Sequence, residues 1–275
     1  MFTRAIVRPP ARNFAEGLTS AALGAPDYEH ALEQHEAYCA AMLRCGLELT
    51  RLEPDARYPD STFVEDVAIV TQKLAILTRP GAPSRTGEVE SMRRPLADLL
   101  DTVLEIQAPG TVDGGDICQA GDHFFIGVSE RTNETGAKQL AALLKDAGYE
   151  SSLIDMRQST AAAATASRTQ SVPGAVATGS LLHLKSGIAY LGNNRLATTK
   201  ALSGRSAFAS FDLVHVDENE EYAANCVRIN DYVLIAAGFP KFQRELTKLG
   251  YQTIALEMSE FQKMDGGLSC LSVRL

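Results

Sequence analysis

Short apolar runs occur in pairs along this chain, and a turn of polar residues or glycine separates the two members of each pair. Four pairs stand out: "EDVAIVTQKLAILTRP" from Glu65, "GDICQAGDHFFIGV" from Gly115, "SGIAYLGNNRLATT" from Ser186 and "ANCVRINDYVLIAA" from Ala224. Two β-rich halves around a short turn are the signature of a β-hairpin. The pattern therefore predicts four hairpins, and their period of about forty to fifty residues indicates a repeated architecture.

The two ends of the chain supply a fifth hairpin. "FTRAIVRP" at the start and "LSCLSVRL" at the end both have the pattern of a strand, at about residues 3–8 and 269–274. Pairing these strands would close the repeats into a ring and leave no open edge. The predicted fold is an α/β ring of five ββα-type units around a pseudo-fivefold axis, with the inner strand ends pointing into a central cavity.

Helical segments lie between the hairpins. "PDYEHALEQHEAYCAAMLRCG" has apolar residues at helical spacing and ends at Gly46. "TNETGAKQLAALLKDAG" begins at the capping residue Thr132 and stops at Gly148, and "FPKFQRELTKLG" stops at Gly250. Glycine is the common residue just past a helix because it adopts a positive φ without strain. We expect three helices that end at these glycines.

One interval, residues 155–180, interrupts this rhythm between the second and third hairpins. It reads "DMRQSTAAAATASRTQSVPGAVATGS" and is rich in Ala, Ser and Thr. It offers little amphipathic pattern to bury, and its tail has the composition of a loop. We therefore expect a surface insertion in a single domain that spans residues 1–275.

Composition and charge restrict the class of partner. The chain has 45% apolar and 22% charged residues, which is typical of a globular protein. Its net charge of −8 argues against nucleic-acid binding by phosphate neutralisation and suits a small cationic partner. No apolar run reaches the length of a membrane span, and the N-terminus lacks the pattern of a signal peptide. We expect a protein that binds neither nucleic acid nor membrane.

The cysteines indicate a reducing environment. There are five of them, and none forms a Cys-x-x-Cys pair. An odd and scattered set favours neither a disulfide framework nor a zinc site. A cytoplasmic location is the natural interpretation.

Three residues with reactive or ionisable side chains occupy equivalent places in the repeat. Cys270 in "MDGGLSCLSV", His183 in "LLHLKSG" and Asp113 in "PGTVDGGDICQ" each precede or begin an inner strand. Taken singly, each has an ordinary explanation: a buried cysteine on a closing strand, a core histidine and a tight turn. In a closed ring, such positions converge on the axis. A nucleophile, a general acid/base and an orienting carboxylate would then meet.

The stretches "FVEDVAIV", "GVSERTN", "HLKS", "NCVRIN" and "MDGGLSCLSV" together closely resemble those of the dimethylarginine dimethylaminohydrolases (dimethylargininases), members of the pentein or guanidine-modifying superfamily. The resemblance runs from the first strand to the last residue, with the insertion as the main exception. It implies a five-bladed α/β propeller. It also implies Cys270 as nucleophile, His183 as general acid/base and Asp113 as the carboxylate that orients the imidazole.

The resemblance further implies how a substrate is held. Carboxylates of "PDSTFVED" would contact a guanidinium and the amino-acid end of the substrate, because a guanidinium is a fork of N–H donors suited to carboxylates. A pair of arginines would bind the α-carboxylate, and a lid at "AEGLTSA" would meet the α-amine through a backbone carbonyl. The implied substrate-binding residues are Leu18, Asp60, Phe63, Glu65, Asp66, Arg85 and Arg131.

The implied reaction is hydrolysis of N-methylated arginine to citrulline and dimethylamine or methylamine through a covalent cysteine thiouronium, with no metal or organic cofactor. Arginine deiminase is the nearest alternative, followed by amidinotransferase and agmatine deiminase; a non-catalytic pentein binding protein is the alternative from another class. Arginine deiminases are typically much longer, and they usually carry Asp where this chain has Lys185. Both differences favour a methylated substrate. The sequence leaves open the preference between mono- and dimethylated arginine and whether the protein is a homodimer.

Overall fold

The strands of this protein form five small sheets of three strands each in the computed structural model, which describes residues 1–157 and 181–275. The described strands are β1 (Arg4–Val7), β2 (Glu48–Arg51), β3 (Ala68–Val70), β4 (Ala75–Leu77), β5 (Val103–Glu105), β6 (Ile117–Ala120), β7 (His123–Val128), β8 (Glu150–Asp155), β9 (Ile188–Gly192), β10 (Arg195–Thr198), β11 (Asp212–His215), β12 (Val227–Ile229), β13 (Tyr232–Ala236), β14 (Gln252–Leu256) and β15 (Ser272–Arg274).

Every sheet has the same order of inner, middle and outer strand: β3-β4-β5, β6-β7-β8, β9-β10-β11, β12-β13-β14 and β15-β1-β2. The inner and middle strands are antiparallel, and the outer strand is parallel to the middle one. All four predicted internal hairpins are confirmed. A third strand, which the sequence did not predict, follows the helix of each ββα unit and completes the sheet. Three of these outer strands, β2, β5 and β11, are short and contain no fully buried residue, so their apolar alternation is weak.

The predicted pairing of the two chain ends is also confirmed. Strands β1 and β15 are antiparallel, with Ile6 opposite Val273. The Thr3 N–H donates to the Leu275 carbonyl at 2.7 Å, and the Leu275 N–H donates to Arg4 at 2.8 Å. This pairing closes the ring that the repeat pattern predicted and produces the five-bladed propeller that the resemblance implied.

Helices connect the middle strand of each sheet to its outer strand. All three predicted glycine ends are confirmed, since Gly46, Gly148 and Gly250 have φ between +85° and +89°. The predicted cap Thr132 is wrong by one residue: Asn133 is the N-cap, and its side chain accepts a hydrogen bond from the Gly136 N–H. The described helices are α1 (Tyr28–Arg44), α2 (Glu90–Ala97), α3 (Glu134–Asp146), α4 (Lys200–Ser203), α5 (Pro240–Lys248) and α6 (Ser259–Gln262).

The core lies between each sheet and the helix that crosses it. In α1, the apolar residues Ala31, Tyr38 and Met42 lie on one face of the helix and are completely buried. The Tyr38 hydroxyl also hydrogen-bonds the Ser272 hydroxyl at 2.7 Å, because the ring reaches across to the closing strand. Packing of α1 therefore supports the closure of the ring.

A short 3₁₀ turn precedes the inner strand of every sheet. We number them turn 1 (Val64–Val67), turn 2 (Gly114–Asp116), turn 3 (Leu184–Ser186), turn 4 (Glu218–Ala224) and turn 5 (Leu268–Leu271). Turns 5, 1, 2, 3 and 4 contact one another in that order around the axis. The repeat therefore brings five turns, from distant parts of the chain, to one end of the propeller.

Two further predictions concern the insertion and membrane-spanning segments. The predicted insertion at 155–180 begins at the end of β8, and its residues from 158 onwards lie outside the described residues. Among the helices of residues 1–157 and 181–275, none is long and apolar enough to cross a membrane.

The closure of the ring can be tested by replacing a residue of β1. Ile6 is fully buried, and its strand pairs with β15 on one side and β2 on the other. We expect Ile6→Ala to lower the free energy of unfolding by about 2–5 kcal/mol, because it removes buried methyl groups and leaves a cavity. Thr50, which is opposite Ile6 on β2, is exposed, so Thr50→Ala should change stability by less than about 0.5 kcal/mol. Urea unfolding of both variants measures the difference; equal effects would contradict it.

Candidate active site

A small cavity of about 30 Å³ lies beside turns 1 and 5 and the residues directly before turn 3. It has room for a water molecule but not for an amino acid. The structure brings together eight of the ten predicted site residues in its lining and adds four others. The lining residues are Leu18, Asp60, Phe63, Asp66, Arg85, Arg131, Leu182, His183, Met264, Asp265, Gly266 and Cys270. The two predicted residues outside the lining are Asp113 and Glu65.

Cys270 lies in turn 5, immediately before the closing strand. Its backbone N–H donates to the Gly267 carbonyl at 3.1 Å. Burial, reinforced by the negative charges of Glu65 and Asp66, raises the pKa of the Cys270 thiol to about 12. The resting side chain is therefore a thiol at neutral pH, and a cation beside it would be needed to favour the thiolate.

The two glycines before Cys270 are required by close packing and not by an unusual backbone. A Cβ atom on Gly266 would lie 2.3 Å from the ring of Phe63, and a Cβ atom on Gly267 would lie 2.5 Å from the amide carbon of Asn225. Gly267 itself has an extended backbone with φ of −141°. The glycine pair therefore allows Phe63 and Asn225 to pack directly against the backbone that carries the nucleophile.

His183 precedes turn 3 in an extended conformation, and its ring lies between two buried carboxylates. Its Nδ1 is 3.4 Å from Asp116 Oδ2, and its Nε2 is 4.0 Å from Asp113 Oδ2. Burial alone would lower the pKa of His183, but the charges of Asp116, Asp66 and Asp113 outweigh it and raise the pKa to about 9. The imidazole is therefore protonated at neutral pH and can donate a proton.

Asp116 is a site residue that the sequence analysis missed. Its Oδ2 accepts hydrogen bonds from the Ser129 and Thr132 hydroxyls, both at 2.7 Å, and its Oδ1 accepts from the Leu184 N–H at 3.1 Å. These bonds hold the carboxylate in place against the imidazole of His183. The signal was present in "VDGGD", where a second aspartate ends the turn that the first one begins.

Asp113 lies on the other side of the imidazole, completely buried at the start of turn 2. Its Oδ1 accepts from the Gly81 N–H at 2.7 Å, while its Oδ2 faces His183 without a hydrogen-bond donor of its own. Burial and the charge of Asp66 raise the pKa of Asp113, although His183 and Arg85 oppose them. The carboxylate is thus placed to stabilise a protonated imidazole.

Asp66 is the carboxylate at the cavity wall. Its Oδ1 accepts from the Gly115 N–H at 2.8 Å, and its Oδ2 accepts from Arg85 Nη1 at 2.7 Å. Burial would raise the pKa of Asp66, but the cations Arg85 and His183 outweigh it and lower the pKa to about 2. A Cβ atom on Gly115 would lie 2.9 Å from the His183 ring, so glycine is needed there for the imidazole to approach.

One group among the described residues could hold a metal ion. Asp66, Asp113 and His183 each present one ligand atom, and these atoms lie within 4.8 Å of one another. Binding of a metal ion there would require His183 in its neutral form, with its proton displaced.

The two predicted anion-binding arginines have different surroundings. Arg85 is buried; its Nε and Nη2 donate to Glu88 at 3.0 and 2.8 Å, and its Nη1 donates to Asp66. Burial raises the pKa of Glu88 to about 7, although Arg85 opposes the shift. Arg131 is half-buried, and its guanidinium makes no hydrogen bond or ion pair within the described part of the chain. Arg131 is therefore the arginine with donors available for a ligand.

Glu65 faces away from the cavity. Its Oε1 lies 2.5 Å from Lys185 Nζ and 3.0 Å from Arg274 Nη2, and its Oε2 accepts from the Ser269 hydroxyl at 2.7 Å. These groups also line a second, much larger cavity of about 900 Å³, which the inner strands surround. Glu65 therefore lies between the small cavity and this larger one.

The chain segment around Leu18 covers the small cavity. Asp60 accepts two hydrogen bonds from the Leu18 N–H, at 3.0 and 3.2 Å. Asp265 accepts from the Ser20 N–H and hydroxyl, at 2.5 and 2.9 Å, and the Thr19 hydroxyl donates to Lys263 at 2.8 Å. The predicted lid is thus held closed by two acidic residues that also line the cavity.

The raised pKa of His183 has a consequence for stability. Because the folded state binds this proton more tightly than the unfolded state, the contribution is complete below about pH 6.5 and is lost as the pH rises through about 9. We expect Asp116→Asn to reduce this loss, since it removes the nearest carboxylate, and His183→Gln to abolish it. Urea midpoints between pH 6 and 10 measure the effect. An unchanged pH dependence in both variants would contradict the assignment.

Comparison with known proteins agrees with the geometry, although no family model matches the chain. The chain is 42% identical over 275 residues to the N(G),N(G)-dimethylarginine dimethylaminohydrolase of Pseudomonas aeruginosa, with complete coverage of both chains. It is 34% identical over 275 residues to the protein of the same name from Streptomyces coelicolor, with 99% of this chain and 96% of the relative covered.

Solved structures extend the comparison. A cysteine-to-serine mutant of the Pseudomonas aeruginosa protein in complex with citrulline has a TM-score of 0.89, at 42% identity and with complete coverage of both chains. The N-terminal domain of a cyanobacterial arginine dihydrolase shares the fold, with a TM-score of 0.83 at 18% identity and coverage of 100% of this chain and 97% of that domain. Full-length identity, the five-bladed propeller and the convergence of cysteine and histidine lead to one conclusion. The chain belongs to the dimethylarginine dimethylaminohydrolase family of the pentein superfamily.

Proposed function

We propose that this protein hydrolyses N-methylated arginine, such as asymmetric dimethylarginine or monomethylarginine, to citrulline and dimethylamine or methylamine. The observation that carries the proposal is that Cys270 and His183, from different turns, line one closed cavity beside the carboxylate of Asp66. Membership of the dimethylarginine dimethylaminohydrolase family supports the same reaction. The reaction is a hydrolysis at a linear amidine carbon through a covalent cysteine intermediate.

The first half of the reaction begins when the substrate guanidinium binds beside Cys270. Its positive charge lowers the thiol pKa from about 12, so the thiol proton is lost to solvent and the thiolate forms. The thiolate attacks the central guanidinium carbon, and protonated His183 gives its proton to the methylated nitrogen. The carbon–nitrogen bond then breaks, which releases the amine and leaves a thiouronium on Cys270.

The second half uses the same two residues. His183, now neutral, takes a proton from a water molecule whose oxygen attacks the thiouronium carbon. The carbon–sulfur bond breaks with its electron pair going to Cys270 Sγ, and the hydroxyl proton of the adduct converts this thiolate back to the thiol as citrulline leaves. His183 is again protonated. Asp113 and Asp116 flank the imidazole and stabilise its charged form at the start and end of each cycle.

Substrate binding is assigned to the remaining residues of the cavity. Asp66 and Asp60 attract the guanidinium and the α-amine, and Phe63 packs beside them. Arg131, whose donors are available, binds the α-carboxylate, and Arg85 assists mainly by holding Asp66. Leu18 closes over the amino-acid end of the substrate. Glu65 contributes to substrate binding through its negative charge, which acts at Cys270.

Lys185 supports a methylated substrate over arginine itself. It stands two residues after His183, where arginine deiminases usually have an aspartate that accepts N–H bonds from the guanidinium. A lysine cannot accept such bonds, and the Lys185 ammonium is paired with Glu65. An arginine N–H left unpaired in a closed site costs on the order of 1–3 kcal/mol. Methylated nitrogen has fewer N–H groups to satisfy.

The same proposal covers the organisation of the chain. Residues 1–275 form a single catalytic domain, and the sequence at about 155–180 is an insertion relative to the family. The protein works in the cytoplasm on a small cationic amino acid, as a monomer or a homodimer, and needs no metal or organic cofactor.

Citrulline production by the purified protein tests the reaction. We expect kcat/KM for asymmetric dimethylarginine to exceed that for arginine by about ten- to a hundredfold, as the unpaired N–H predicts. Cys270→Ser should abolish turnover and prevent formation of any covalent adduct visible by mass spectrometry. Cys45→Ser, which alters a buried cysteine at the end of α1, is the control that should retain activity. A higher kcat/KM for arginine would instead support the deiminase reaction.

The roles of His183 and the carboxylate beside it can be separated. His183→Gly should lower kcat by at least about a hundredfold, because neither the departing amine nor the attacking water then has a proton-transfer partner. Asp113→Asn should lower kcat less, since Asp116 still faces the imidazole on its other side. Single-turnover kinetics with dimethylarginine provide the measurement. Equal, negligible effects in both variants would refute the assigned roles.

A further inference from the structure

Turn 4 is the member of the ring to which the reaction assigns no residue. Turn 1 carries Asp66, turn 2 is preceded by Asp113, turn 3 by His183, and turn 5 carries Cys270. Asn225, in the stretch "NCVRIN", directly follows turn 4. Through its side chain, turn 4 contacts other turns of the ring.

Asn225 is nine-tenths buried and bonds to two of the other turns. Its Oδ1 accepts from the Ser269 N–H at 2.9 Å. Its Nδ2 donates to the Ser269 hydroxyl and to the Lys185 carbonyl, both at 3.2 Å. One amide group thus joins the residue before Cys270 to the residue two after His183.

The surroundings leave little freedom for this amide. A Cβ atom on Gly267 would lie 2.5–2.9 Å from all three heavy atoms of the amide, so glycine provides the space that Asn225 fills. The Tyr222 hydroxyl, from the same turn, donates to the Gly266 carbonyl at 2.8 Å. Turn 4 therefore holds the backbone of residues 266–269 from one side, directly before the nucleophile.

We propose that Asn225 is a positioning residue that sets the separation between the nucleophile and the general acid. The inference rests on the proposed methylarginine hydrolysis, in which Cys270 and His183 act on the same carbon–nitrogen bond. Asn225 does not line the substrate cavity, so it acts through the two turns that it joins. An amide is suited to this task because it accepts from one turn and donates to the other at once.

The expected signature is a loss of kcat without a loss of binding. A misplacement of about 1 Å between reacting groups can cost about a hundredfold in rate. Asn225→Ala removes all three bonds and should lower kcat for asymmetric dimethylarginine by about ten- to a hundredfold, with KM changed by less than about threefold. Asn225→Asp keeps the shape and the acceptor for the Ser269 N–H but loses the donors, so its kcat should lie between those of Asn225→Ala and wild type.

Asn230 in the same stretch supplies a matched control. Its side chain also makes three hydrogen bonds to backbone groups, to the N–H and carbonyl of Phe2 and to the carbonyl of Cys45, none of them in the ring of turns. Its φ is +52°, so Asn230→Gly removes the bonds without adding backbone strain. This variant should lose stability, measured by urea unfolding, while its kcat stays within about twofold of wild type.

A second readout does not depend on turnover. Iodoacetamide should label Cys270, identified by peptide mass spectrometry, at least about threefold faster in Asn225→Ala than in wild type, because a loosened turn 5 exposes the thiol. Asn225→Asp should also label faster, and Asn230→Gly should label at the wild-type rate. If Asn225→Ala does not fold, Asn225→Asp decides the matter by the same two measurements.

The outcomes are distinct. A wild-type protein that turns over no methylated arginine would refute the proposed function, and the labelling comparison would still decide the role of Asn225. Unchanged kcat and labelling in both Asn225 variants would overturn the inference. An equal loss of kcat in Asn230→Gly, or a rise in KM with kcat unchanged, would also overturn it.

Discussion

Backbone hydrogen bonds between the first and last strands join the two ends of the chain, and the geometry of the site depends on this closure. Strand β15 is the inner strand of its sheet only because β1 pairs with it and carries the connection on to β2. The nucleophile lies in the turn directly before β15. The element that closes the propeller is therefore also the element that places Cys270, so folding and catalysis share one segment.

Within the ring, carboxyl groups surround two buried cations. His183 is held between carboxylates that raise its pKa, while Arg85 is held by a carboxylate on either side. Such buried charges are tolerated because each cation is paired with carboxylates. Four of the carboxylates also accept hydrogen bonds from backbone or hydroxyl groups: Asp60, Asp66, Asp113 and Asp116. The cluster still has an excess of acidic groups, and a guanidinium substrate would supply the missing positive charge. The carboxyl groups around the cations are Asp60, Asp66, Glu88, Asp113 and Asp116.

Two glycine pairs allow this cluster to be compact. In "DGGD", glycine admits the ring of His183 against turn 2; in "DGGL", glycine admits Phe63 and Asn225 against turn 5. A side chain at the second glycine of "DGGD" or at either glycine of "DGGL" would occupy the space of one of these neighbours. A side chain at Gly114 would instead clash with the backbone of Glu65. The close approach of the turns therefore depends on these glycines. Glu65 is held between the two cavities by its bonds to Lys185, Arg274 and Ser269.

Local pattern determined much of this protein. Alternating apolar residues with polar or glycine turns predicted the hairpins, and glycines predicted the ends of three helices, because both signals depend on residues within a few positions of each other. The equivalence of Cys270, His183 and Asp113 in the repeat predicted their convergence. The directions of the side chains were decided only by tertiary packing. Glu65 bonds Ser269 across 204 positions, and Asn225 bonds it across 44, so neither contact leaves a local trace in the sequence. Asp116 was missed although it ends the "VDGGD" turn, because nothing near it in the sequence shows that its carboxylate meets the imidazole of His183.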